Sequence, residues 1–287
     1  MNLSALTQLA KAAVANWLDD YAPSMGAALA YYTVFSLAPL LVIVIAAAAL
    51  IFGQDAAQGA IIEQASGMIG ESAATAIEGM LANAQKPRQG LIASAIGIVL
   101  LIVGATTVFA ELETNLNRVW KVEADQGSGL WHFLRTRLLA FGMVLAIGFL
   151  LIVSLVVGAG TAALGKYWSG WFGGLAFLLQ AANFAVSVVV MTFLFAMIYK
   201  FIPRASIHWR DVWIGAMVTS LLFSLGKFLI GIYIGKAGVE SSYGAAGALA
   251  VILIWVYYSA QIFLLGAEFT KVYAESHGSR KREASVR

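Results

Sequence analysis

Two apolar runs in the last third of the chain, residues 213–234 and 248–269, decide most of what it can fold into. A helix rises 1.5 Å per residue, so about 20 residues cover the roughly 30 Å of a bilayer's hydrocarbon. No water reaches the backbone there, so such a run must close its hydrogen bonds as a helix. The two runs are joined by a link rich in small residues, 235–247. One charge, Lys227, lies inside the first run, and an ammonium held at mid-bilayer costs roughly 2.5–3.5 kcal/mol. Composition agrees with this reading. The chain is 61% hydrophobic and only 11% charged, where soluble domains carry about 25% charged residues.

The same reading along the whole chain predicts an all-α membrane protein, a bundle of six transmembrane helices at about 25–52, 90–108, 138–160, 174–199, 213–234 and 248–269. Residues 24–270 form a single membrane domain. Residues 1–23 are expected to make an interfacial amphipathic helix, with a stripe of Leu3, Leu6, Ala10, Ala13 and Trp17. No secretory signal peptide is read there, because Asp19 and Asp20 accompany a single lysine and no basic segment precedes an apolar core. Pro23 suits the opening turn of the first span. Pro39 sits inside that span, removes the bond to the Phe35 carbonyl, and is a candidate hinge. Residues 54–88 read as a helical insertion outside the membrane, one or two amphipathic helices carrying Ile62, Ala65, Ile69, Ala73 and Met80 inward. Residues 109–122 continue helical, and 271–287 form a basic tail.

Basic residues orient the bundle. Six spans put both termini on one side, together with Lys11, Arg118, Lys121, Arg135, Arg137, Lys200, Arg204, Arg210, Lys271, Arg280, Lys281, Arg282 and Arg287. The other side holds Lys86, Arg88, Lys166 and Lys236. The excess predicts cytoplasmic termini, with 54–88 outside, periplasmic in a Gram-negative cell.

The chemistry is sparse. With no Cys there is neither a disulfide nor a thiolate metal site. His132, His208 and His277 stand alone, without the spacing of a hydrolytic metal site. No phosphate-binding Gly-rich loop or nucleophile elbow appears, so neither an enzyme nor a cofactor is expected. A net charge of +3 gives no reason to expect a nucleic-acid partner. The polar groups inside the spans are the informative ones. Gln180, Asn183 and Ser187 recur at i, i+3 and i+7 and share a face, where amides in hydrocarbon need partners. Lys227 lies about eight residues from the outer end of its span, about 10–12 Å deep, so a lysine stem reaches only part of the way to the headgroups. Glu240 in the link could pair with it. Glu111 and Glu268 lie near the cytoplasmic ends, too far for contact.

Four blocks carry a resemblance: residues 27–40 (AALAYYTVFSLAPL), 112–122 (LETNLNRVWKV), 199–212 (YKFIPRASIHWRDV) and 242–267 (SYGAAGALAVILIWVYYSAQIFLLGA). They are similar to the signature blocks of the YihY/BrkB family of bacterial inner-membrane proteins, including the Tyr-Tyr pair, Asn-Arg-Val-Trp and the Tyr-Gly before the last span. The resemblance implies a six-span bundle in the cytoplasmic membrane. Members have been labelled ribonuclease BN, serum-resistance factors and candidate lipid or solute transporters, and no catalytic set accompanies them.

The expected function is movement of a lipid or other anionic amphiphile; the alternative is a non-transporting scaffold for envelope partners working through 54–88. Lys227, Gln180, Asn183, Ser187 and Glu240 are the candidate substrate-binding residues, joined by Tyr31 and Tyr243 from the matched blocks. Membrane lipids are the expected partners.

Overall fold

A computed structural model describes residues 3–84, 91–122, 142, 175–237 and 247–281. Among these residues the regular structure is helical: α1 Leu3–Asp19, α2 Ala22–Phe52, α3 Gln54–Ile69, α4 Glu71–Ala84, α5 Leu91–Val119, α6 Leu175–Phe201, α7 Trp209–Ala237 and α8 Gly247–Ser276. Four stretches are long and apolar enough to cross a membrane, namely Ala22–Leu50, Phe184–Phe201, Trp209–Ile230 and Gly247–Ser276. They correspond to the expected first, fourth, fifth and sixth spans. The expected second span lies within α5. The third, 138–160, falls outside the described residues except for Gly142.

Large apolar side chains remain uncovered along these helices, among them Leu50 at 88% exposure, Phe35 at 67% and Val189 at 65%. In water such a surface would draw partners or aggregate; against lipid tails it is the expected finish. The chain is a helical membrane protein.

Short links set the packing. Gly53 (φ 83°) ends α2 and opens α3, and Gly70 (φ 91°) does the same between α3 and α4. Only glycine takes this backbone without strain. The two helices are therefore folded back onto the bundle. Ala57, Ala73, Ile77 and Leu81 pack with Val34, Ile45, Ala48, Val251 and Ile252 of α2 and α8, while Asp55, Glu63, Glu71 and Glu78 stay exposed. The expected inward positions Ile62, Ala65 and Ile69 border the same cluster.

The main core joins α2, α5, α6, α7 and α8 through Met25, Leu29, Phe109, Leu116, Phe195, Tyr199, Val212, Phe263 and Leu264. Glycines bring α7 and α8 close. A methyl at Gly215 would strike Thr270, and one at Gly266 would strike Thr219 and come within 2.7 Å of the Tyr199 hydroxyl. That hydroxyl donates to the Phe263 carbonyl at 2.7 Å. Tyr199 thus ties α6 to α8 inside the core, where an unmet hydroxyl would be costly.

The stripe expected on α1 needs a correction. Leu9 and Ala13 are the buried residues, seated on Phe269, Val272 and Tyr273 of α8, whereas Leu6 and Ala10 are exposed. Ala13 of the expected stripe is buried and Trp17 packs against the main core, so the covered face overlaps the expected one and is shifted toward Leu9. The aromatic wall of α8 decides which face is covered.

Candidate functional site

Two polar features stand out against this apolar frame. The first is the C-terminal half of α7. Ser220 donates to the Val188 carbonyl of α6 at 3.0 Å, and Ser224 donates back to the Ser220 carbonyl at 2.9 Å. Only residues 202–208 separate α6 from α7, so the two run antiparallel as neighbours. Seven residues beyond Ser220, about 10 Å along the axis, comes Lys227. The register sets it opposite Ala181, at the level where α6 carries Gln180 and Asn183. Lys227 is exposed, flanked by exposed Leu225 (57%), Phe228 (65%) and Leu229 (50%).

Of the other expected site residues, Ser187 is exposed on α6, next to the Val188 that receives Ser220. Gln180 and Asn183 are placed on α6, but their side chains lie outside the described set. Glu240 and Tyr243 lie outside the described residues. Tyr31 belongs to another wall. It is 56% exposed on α2, its ring against Tyr32 at 5.5 Å and Phe35 at 4.7 Å, and α2 packs chiefly on α5 and α8. Pro39 lies mid-way along α2, and a methyl at Gly104 of α5 would come within 2.9 Å of its ring. Close approach of α5 at the proline is what the structure gives there.

The second feature escaped sequence reasoning. Asp20, Lys121, Glu268 and Lys271 gather where α1 turns into α2, α5 ends and α8 nears its end. Two left-handed residues set up the meeting, Tyr21 (φ 58°) after Asp20 and Lys121 (φ 52°) after α5. The Lys121 ammonium pairs with Asp20 Oδ1. Asp20 is 5% exposed, Lys271 6% and Glu268 0%. Lys271 Nζ stands 4.0 Å from Glu268 Oε2, the outer edge of an ion pair. Asp20 Oδ2 and both Glu268 oxygens have no donor among the neighbouring groups, yet the two carboxyls lie within hydrogen-bonding reach of each other. Burial alone would raise the Asp20 carboxyl; the Lys121 ammonium, the adjoining Glu268 carboxyl and the Lys271 charge together hold it below the usual carboxylate range. Further out on the same face of α8, Gln261 abuts Gly26 of α2, and both ends of its buried amide lack partners. Among the described residues, no three His, Cys, Asp or Glu side chains gather as a metal set.

Residues 13–287 match the family model described as virulence factor BrkB. The chain belongs to the BrkB family. Its BrkB relatives include a UPF0761 membrane protein of Verminephrobacter eiseniae, 27% identical over 256 residues, which cover 88% of this chain and 58% of that one. A UPF0761 membrane protein of Alteromonas mediterranea is 29% identical over 197 residues, 68% of this chain and 64% of that one. Another, of Vibrio parahaemolyticus, is 29% identical over 255 residues, 86% and 76% of the two chains. The chain thus spans about three-fifths of the first two relatives. No solved structure matches. The resemblance read from the four blocks is shown, and with it the membrane setting. In this BrkB protein one signal of the buried cluster was readable beforehand: Glu268 and Lys271, i and i+3, at the end of the last apolar run. Its partners Asp20 and Lys121 were not, because only the tertiary fold brings them near.

Proposed function

We propose that this BrkB-family chain moves an anionic amphiphile, most simply a lipid, across or out of the bacterial inner membrane, with both termini in the cytoplasm. Lys227 draws the anionic group, Gln180, Asn183 and Ser187 line its route, Tyr31, Glu240 and Tyr243 contribute contacts, and Pro39 permits opening. The observation that carries this reading is the exposure of Lys227 on α7 among exposed Leu225, Phe228 and Leu229. An ammonium on an oil-facing wall is costly unless an anion or water meets it, and the amphiphiles of a bilayer bring phosphate or carboxylate to that wall from the side. The test is reconstitution in vesicles carrying a labelled anionic lipid. Wild-type protein speeds movement of the label between leaflets, and Lys227→Leu slows it at least several-fold. Equal movement with and without protein overturns the reading.

A second reading, a scaffold without transport, draws on α3 and α4, whose apolar face is spent on the bundle while Asp55, Glu63, Glu71 and Glu78 face outward. Removal of 54–84 that leaves lipid movement unchanged but abolishes envelope integrity in cells favours this reading.

A further inference from the structure

We propose that Asp20 and Glu268 together form a proton-binding site, one proton held between their carboxyls at the seam between α2 and α8. Glu268 is fully buried, and neither of its oxygens receives a donor among the described residues. Asp20 spends Oδ1 on Lys121 and leaves Oδ2 buried and unmet. A buried ionised carboxylate without hydrogen bonds costs several kcal/mol. One added proton removes that cost at two places at once. It makes one carboxyl an O–H donor and the other its acceptor, so one orphaned oxygen on each residue is satisfied. Facing carboxylates ionise as a coupled pair, not as two independent groups. The proton comes from water and returns there; no other bond changes.

Among the described residues, two ammonium groups act on the pair. Lys121 enters from the end of α5 and Lys271 from α8 itself. At this level α7 presents Gly215 and Thr219, which are uncharged and packed on Thr270 and Gly266. Asp211 of α7 is engaged elsewhere, accepting from Ser279 at 2.6 Å. Two ammonium groups beside the pair disfavour a metal cation, and the proton is the cation small enough to be held between two neighbouring carboxyls. Gln261, on the same face two turns out with both amide atoms unpartnered, extends the polar seam into the bundle.

This proposal stands apart from lipid movement and is tested without it. Infrared spectra of the whole protein in nanodiscs at neutral pH are expected to contain a carboxylic-acid carbonyl band that shifts in heavy water, disappears in alkali and is missing from Glu268→Gln. Asp20→Asn, which keeps a carbonyl acceptor beside Glu268, moves the band without removing it. A wild-type spectrum with no carboxylic-acid band at neutral pH overturns the proposal, since all four groups are then ionised as two plain ion pairs. A band of undiminished intensity in Glu268→Gln overturns it equally.

Discussion

Asp20 shows how a single side chain can tie three helices. It closes the end of α1, touches Lys121 after α5 and faces Glu268 on α8. Its carboxyl is held below the usual range, so its contribution to stability is present above the unfolded-state value of about 3.9 and is lost as pH falls through the lower folded value. Asp20→Asn is therefore expected to lower the thermal midpoint at neutral pH, by the equivalent of about 1–2 kcal/mol. The figure sits low in the range because Lys121 is 59% exposed and returns to water. Measured from neutrality down to strong acid, the gap between wild type and variant closes as the wild type loses its charge. A gap independent of pH contradicts the assignment. Lys227 was legible at this scale because a charge in an apolar run announces itself. Asp20 was not: it reads as an ordinary polar residue until the fold sets it beside Glu268, almost the whole chain away.

Among elements, the helices were far more legible than the contacts between them. Length and apolar content gave the existence and rough place of α2, α6, α7 and α8, with ends off by up to seven residues at α8, because a bilayer leaves a long apolar run one way to satisfy its backbone. Which glycine meets which neighbour depends on register, which no single helix encodes. Among the described residues, tight approaches fall at Gly26, Gly104, Gly215, Gly226, Gly266 and Gly278. Gly266→Ala is expected to force Thr219 and Tyr199 apart and to destabilise the α6–α7–α8 core by about 1–3 kcal/mol. Urea or thermal unfolding in detergent reads this directly, with Gly59→Ala as the control, since a methyl at Gly59 meets nothing within 4 Å. Equal loss in both variants contradicts the packing described. The same logic explains α1, where the aromatic side of α8 covers Ala13 of the expected stripe together with Leu9, which spacing did not single out.

At the scale of the molecule, the described part of the apolar bundle exposes Lys227 beside Leu225, Phe228 and Leu229, and buries a second polar centre where α1, α2, α5 and α8 converge. The proposed lipid movement rests on the first feature, and the proposed proton site on the second. Family membership fixes the membrane setting. The absence of cysteine from the chain makes the wall directly measurable, because one introduced thiol can be labelled alone. Phe228, 65% exposed and adjacent to Lys227, is replaced by Cys and given a fluorophore, and its quenching by brominated anionic lipid is compared with quenching by brominated zwitterionic lipid. With Lys227 present, the anionic lipid is expected to be enriched at the label by about fivefold, the equivalent of about 1 kcal/mol for one basic residue and a lipid charge, and Lys227→Leu brings the two lipids level. The same ratio with and without the ammonium contradicts the account.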